Sequence, residues 1–169
     1  MLLRSRVFLA LLTFTAGVCA GGWLFSDTQP RSFLALTRCE SCWRANQVAG
    51  LLASIGIQKA GAALPLVVKE TGRCVAIDHP FPKYPFHLVV FPKKDIKDIA
   101  DISVENQEYI LDCLGLIRAI VVERRLRAYR VETNGPGLQH VNYLHFHLVS
   151  EARVDPPGTA AAADGVERP

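Results

Sequence analysis

The sequence predicts an α+β fold with a mostly antiparallel sheet. Three observations carry that reading. Short strand-like runs lie on both sides of one long amphipathic helix, in the order strands, helix, strands, with no internal repeat. The stretch Gln139-His-Val-Asn-Tyr-Leu-His-Phe-His-Leu-Val149 alternates with a strand period. A long uncharged run at the N-terminus stands apart from the rest as a hydrophobic helix.

Composition sets the outer limits. The chain has 169 residues, half of them hydrophobic, which fits one globular domain with terminal additions. A net charge of +3 is scattered rather than massed, so a nucleic-acid-binding surface is not expected. Cysteines at 19, 39, 42, 74 and 113 form no regular framework, which excludes a disulfide-stapled mini-protein.

The N-terminus reads as an anchor or an export signal. Arg4 and Arg6 precede the uncharged run 7–25, which reaches the lower end of the roughly 17–25 residues that cross a bilayer. Val18-Cys19-Ala20 also makes a passable cleavage site, while Val18 is a poor residue before a lipoprotein-type cysteine. The arginines place the N-terminus inside and the domain on the outer, extracytoplasmic (periplasmic) side, whether anchored or exported. The expected organisation is an anchor over 1–25, a linker over 26–37, a domain over 38–152 and a disordered tail over 153–169.

The domain begins with Cys39-Glu-Ser-Cys42, half a zinc site, a redox pair or a disulfide. Val48, Leu51, Leu52 and Ile55 then recur at helical spacing over 45–57. Lys59 and Pro65 argue against a second membrane span through this region. Strands are expected at 64–69 and 73–77 around the Glu70-Thr-Gly72 turn, and a doubly covered one at 86–91 after Pro80, Pro82 and Pro85. Ser103 can cap a helix reaching about Leu126, with Ile110, Cys113, Leu114, Ile117 and Val121 on one stripe. Residues 129–133 alternate as a strand, Asn134-Gly-Pro-Gly137 turns, and the histidine strand closes the fold.

That last strand concentrates the chemistry. Period two puts Tyr143, His145, His147 and Val149 on one face, with the two imidazoles about 7 Å apart along the strand. Leu144, Phe146 and Leu148 take the other face. A neutral imidazole near its ordinary pKa of about 6.5 is available as a nucleophile at neutral pH.

Cys74-Val-Ala-Ile-Asp-His-Pro-Phe-Pro-Lys-Tyr-Pro-Phe-His-Leu-Val-Val-Phe-Pro-Lys-Lys94, the long helix, Asn134, Gln139 and Tyr143-Leu-His-Phe-His-Leu-Val149 together resemble the histidine-triad (HIT-like) family of nucleotide hydrolases and transferases, in its nucleotide-binding branch. The resemblance covers roughly 64–150 and implies a five-stranded antiparallel sheet with packed helices, usually paired into a homodimer. It implies that His145 attacks the α-phosphorus of a nucleotide to form a nucleotidyl-imidazole that water cleaves. His147 and the Gln139 amide would support the phosphoryl oxygens. His87 would lie near the phosphates, Asn134 near the reacting group, and Asp78 would be the acidic ribose ligand, although the order Asp78-His79 is shifted by one position. His79 and His140 read as loop residues.

Two departures stand out. Tyr143 replaces the first triad histidine, and it retains a hydroxyl that can meet the nucleotide. Family members that bind zinc use a Cys-x-x-Cys, a histidine after Lys-Lys and the first triad histidine; here Asp95 and Tyr143 stand at the last two places, so no metal and no cofactor are expected. A Cys39–Cys42 disulfide is an equal alternative in an oxidising compartment. The expected partner is a nucleotide or nucleotide-linked small molecule, with a CDP-lipid made attractive by the anchor, and soluble dinucleotides and phosphoramidates as competitors. Two other readings remain: a module that binds nucleotide without cleaving it, and a metal-dependent enzyme using His145, His147 and Glu151.

Overall fold

In the computed structural model, residues 2–31 and 44–152 are described. Helix α1 (Leu2–Phe25) is followed by α2 (Ala45–Lys59), then strands β1 (Val67–Glu70), β2 (Cys74–Asp78) and β3 (Phe86–Pro92). Helix α3 (Gln107–Glu123), β4 (Arg130–Glu132) and β5 (Phe146–Ser150) complete the order. The strands form one five-stranded sheet, β1-β2-β3-β5-β4, with every pairing antiparallel. The expected α+β class and strand count therefore hold.

The sheet has a helix for each face. Cys74, Ala76, Leu88, Val90, Phe146 and Leu148 meet Cys113, Leu116, Ile117 and Ile120 of α3. Val75, Val89 and Phe91 face the other way, against Ile57 of α2 and Tyr143. Since each large aliphatic side chain contributes about 1.5–3 kcal/mol when buried, two such layers supply the main driving force. Strand alternation in β2 and β3 is thus doubly apolar, as the run 86–91, interrupted only by His87, requires.

Several element ends differ from the sequence expectation by a few residues, and three have a visible local reason. Helix α3 starts at Gln107 rather than near Ser103, because Ser103 and Asn106 close a turn on each other: Ser103 N donates to Asn106 Oδ1 and Asn106 N to Ser103 O. It ends without glycine: Arg125 takes a φ of 52°, and the amides of Arg125 and Leu126 return to the carbonyls of Val122 and Val121. Strand β5 begins at Phe146 rather than Tyr143, because the preceding backbone is bonded elsewhere. Asn142 N donates to Asn46 O of α2 (2.8 Å) and Leu144 N to Ile96 O (2.6 Å). Helix α2 approaches this segment so closely that a Cβ at Gly50 would lie 2.3 Å from Asn142 O.

The described part of the linker is laid against the domain. Arg31 Nη2 pairs with Asp95 Oδ1 at 2.9 Å, both side chains fully buried. Gln29 donates from its backbone to Asp95 Oδ2 (2.8 Å) and from its side chain to Asp95 O (2.6 Å). Lys59 of α2 reaches back to Asp27 Oδ2 (2.6 Å) and lies over the Trp23 ring. Helix α1 itself, over 5–25, is long and apolar enough to cross a membrane, and apart from the contact at Trp23 its apolar surface is left exposed.

Cys74 and Cys113 form a disulfide between β2 and α3, fully buried. Helical spacing had marked Cys113 only as a core residue. Cys39 and Cys42 lie outside the described residues.

Candidate functional site

The α2 face of the sheet is not uniform along the strands. Register places Val75 opposite Phe91, Ile77 opposite Val89, Val89 opposite His147, and His87 opposite Val149. Paired residues share a face, so an apolar end under α2 and Tyr143 grades into an end furnished with imidazoles. His145, His147 and His87 are brought together there. The rings of His145 and His147 meet edge to face with centroids 4.9 Å apart, and those of His147 and His87 lie 5.2 Å apart.

Their protons follow from their partners. His145 Nδ1 lies 2.6 Å from the Tyr143 carbonyl, which only accepts, so Nδ1 carries the hydrogen. Nε2 of His145 is left with its lone pair. On the neighbouring chain of bonds, Lys83 N donates to His87 Nδ1 (3.3 Å), so the proton of neutral His87 sits on Nε2. That N–H meets His147 Nδ1 at 3.0 Å, which in turn leaves His147 with its hydrogen on Nε2. Backbone geometry thus sets a lone pair on one triad ring and a donor on the next.

Burial keeps all three rings neutral. It is the largest influence on each, pushing His145 below the ordinary histidine value and His87 and His147 down to about 4. Mutual repulsion among the rings adds to the effect, and Glu132 opposes it slightly at His87 and His147.

A fourth ring joins them. His79 stacks on His87 with centroids 4.1 Å apart and planes 21° apart, and lies 5.8 Å from His147. Sequence reading treated it as a loop residue and favoured Asp78. Strand alternation held the missed signal: Val75 and Ile77 belong to the histidine face, and His79 continues their series. Asp78 continues Cys74 and Ala76 on the α3 face, where it is exposed.

The remaining site candidates sit as follows. Gln139 is buried, and its Nε2 donates to Lys97 O (3.0 Å) while Asn142 Nδ2 approaches its Oε1 at 3.5 Å. Asn134 is half-buried just beyond β4, ahead of the turn leading to Gln139. Tyr143 is fully buried beside Phe91, its hydroxyl donating to Pro92 O. It contributes to His145 through its main-chain carbonyl.

Two metal arrangements can be weighed against these contacts. At the zinc positions, Asp95 is committed to Arg31 and Gln29, and the Tyr143 hydroxyl to Pro92. One ring nitrogen from each of His79, His87 and His147 does lie within 4.8 Å of the others. Yet Phe81 N donates to His79 Nδ1 (3.0 Å) as Lys83 N does to His87 Nδ1. Each ring therefore holds its proton on the nitrogen that a metal would need. The cluster is built to donate hydrogen bonds rather than to ligate a cation.

Comparison with known proteins agrees with the fold and the motif. The HIT domain family model matches residues 64–154. An uncharacterised HIT-like protein of Synechococcus elongatus is 33% identical over 96 residues, covering 54% of this chain and 84% of its own. A HIT-like protein of Chlamydia pneumoniae is 32% identical over 85 residues, 48% of this chain and 77% of its own. Among solved structures, a HIT family hydrolase from Legionella pneumophila superposes with a TM-score of 0.51 at 28% identity, covering 56% of this chain and 89% of that one. One from Clostridium thermocellum gives 0.52 at 25%, covering 60% and 90%. With the matched segment spanning the whole sheet, α3 and all four site histidines, the chain belongs to the HIT family.

Proposed function

We propose that this chain is a nucleotide phosphohydrolase or nucleotidyl transferase that works through a nucleotidyl-histidine intermediate. One observation carries the reading: the hydrogen bond from His145 Nδ1 to the Tyr143 carbonyl, which leaves Nε2 free to attack. In the first step a bond forms between Nε2 and the α-phosphorus as the bond to the leaving group breaks. In the second, a water oxygen displaces Nε2, releasing the nucleotide and a proton to solvent. The His147 N–H would stabilise phosphoryl oxygens through both steps. Gln139, held by Lys97, and Asn134 frame the opposite side of the nucleotide. The HIT family hydrolases that the chain resembles support the reaction class.

The same reading places the domain outside the cytoplasm, on a membrane anchor. Its supports are the apolar helix over 5–25, the arginines at 4 and 6, and a disulfide in the core, a bond that persists chiefly in oxidising compartments. A lipid-linked nucleotide such as a CDP-lipid suits that location. A homodimer fits the exposed stripe of Leu111, Leu114 and Val122 on α3.

The test incubates the full chain in detergent, with no added metal, with nucleoside pyrophosphates and phosphoramidates and follows intact mass and product. Wild type should form a nucleotidyl adduct or turn over, and His145→Ala should lose at least about a thousandfold in kcat, as expected for removing a nucleophile. Binding without adduct or turnover would make the domain a nucleotide-binding module. Activity arising only with added metal would end the triad reading.

A further inference from the structure

The linker that leaves α1 is connected to the triad through three consecutive residues beyond β3. Asp95 takes the linker: Arg31 Nη2 donates to its Oδ1 (2.9 Å), Gln29 N to its Oδ2 (2.8 Å) and Gln29 Nε2 to its carbonyl (2.6 Å). Ile96, which has no exposed surface, accepts from Leu144 N at 2.6 Å. Lys97 O accepts from Gln139 Nε2 at 3.0 Å. The bond at Ile96 bears on the chemistry, because Leu144 N and the Tyr143 carbonyl belong to one peptide unit. A planar trans unit points its N–H and C=O in opposite directions, so fixing one fixes the other. Ile96 O therefore aims the carbonyl that holds the hydrogen of His145 Nδ1. At the far end of this series both charges are fully buried. Nε and Nη1 of Arg31 have no partner among the described residues, so the guanidinium depends on Asp95.

We propose that Arg31 is a positioning residue of the site: by pinning Asp95 it holds the 95–97 segment, and through Ile96 O the peptide that keeps the His145 hydrogen on Nδ1. This rests on the nucleotidyl-histidine reading, in which Nε2 of His145 must keep its lone pair. Without Arg31, a buried Asp95 carboxylate lacks its counter-charge and must draw in water or other donors, which displaces the segment. The Tyr143–Leu144 peptide is then free to turn, and His145 can take its hydrogen on Nε2, the nitrogen that has to attack. The same displacement loosens Gln139 at Lys97 O.

The test uses the full chain in detergent. Arg31→Met combined with Asp95→Asn removes both charges together, which buried pairs tolerate far better than the loss of one partner. In this variant kcat should fall about ten- to hundredfold with KM within about threefold, the scale of a displaced reacting group. Arg31→Lys, which keeps the cation, should recover most of that loss. Nitrogen-15 spectra of histidine-labelled protein, assigned against His145→Ala, read the tautomer directly. Wild type should carry the hydrogen on Nδ1 of His145, and the double variant should show a rising share on Nε2. A folded double variant with wild-type kcat overturns the proposal, as does a lower kcat with the His145 tautomer unchanged. Failure of the nucleotidyl-histidine reading looks different: turnover or adduct would survive in His145→Ala, and the tautomer shift alone would then decide the proposal.

Discussion

The two faces of one sheet have been put to opposite uses. Against α3 the contacts are aliphatic and sealed, closed by the buried Cys74–Cys113 bond. Against α2 the apolar cover stops partway; His79, His87, His145 and the Tyr143 hydroxyl are satisfied by backbone groups, and His147 by the His87 ring. Stability is concentrated on the first face and chemistry on the second, with the same strands serving both through their alternation. Substitutions on the α3 face should therefore move melting temperature with little change in turnover, and those of the histidine rings themselves should do the reverse.

The largest expected effect breaks the sealed face. Cys74→Ala with Cys113→Ala opens a cross-link of 39 residues, which the loop-entropy model values at about 4 kcal/mol. Denaturant unfolding of the double variant should show that loss. Below its lowered midpoint, kcat should stay within about threefold of wild type, because neither sulfur touches a site ring. A comparable drop in kcat in the still-folded protein would mean that the faces are not independent.

Next is the relay on the other face. His87→Phe keeps an aromatic ring under His79 but removes the N–H that fixes the His147 tautomer. Steady-state kinetics should show kcat lower by about a hundredfold, the typical worth of one oriented donor, with stability little changed. His87→Gln should recover part of that loss, whereas full activity in His87→Phe would show that His147 needs no such setting.

How far these faces could be read in advance depended on whether the signal was local. Alternation in 86–91 and 143–149, and the helical stripe around Ile110 and Ile117, announced the sheet and α3. His145 and His147 stand out because a spacing of two puts them on one strand face, whereas His87 enters only through the family resemblance. What escaped was set by distant partners. Asp95 meets Arg31 across 64 residues, Cys74 meets Cys113 across 39, and the early end of β5 follows from bonds to Asn46 and Ile96. His79 escaped for a subtler reason: assigning it needs the phase of β2 carried one residue past its end, and a one-residue error exchanges it with Asp78.

A gentler perturbation uses pH. The folded values of His87 and His147, about 4, lie below the ordinary 6.5, mainly through burial, and His145 is shifted the same way. The unfolded chain therefore binds more protons between pH 6.5 and 4, so this contribution to stability is present above 6.5 and fades as pH falls through that window. Since burial favours the neutral form of all three rings, kcat should stay flat through neutral pH and begin to fall only below the ordinary histidine range. A melting curve series from pH 7.5 to 4.5 should be flatter for a His87→Phe, His147→Phe variant than for wild type. Parallel curves would assign the acid sensitivity to other groups.

The smallest effect concerns the residue where this chain departs from its family's motif. Tyr143 supplies two distinct things: a buried hydroxyl to Pro92 O and a main-chain carbonyl to His145. Tyr143→Phe removes only the first. It leaves one buried acceptor short of a partner, at a cost of about 1–3 kcal/mol, while the carbonyl still holds the His145 proton on Nδ1. Chemical denaturation should register the loss, and kcat should remain within about threefold. Tyr143→His would restore the family's residue type but put a ring nitrogen among Phe91 and Val89, where a polar atom without a well-placed acceptor is costly. If Tyr143→Phe instead lost activity and kept stability, the hydroxyl would have to reach substrate. The division between a face that holds the fold and one that handles phosphate would then run through this residue rather than beside it.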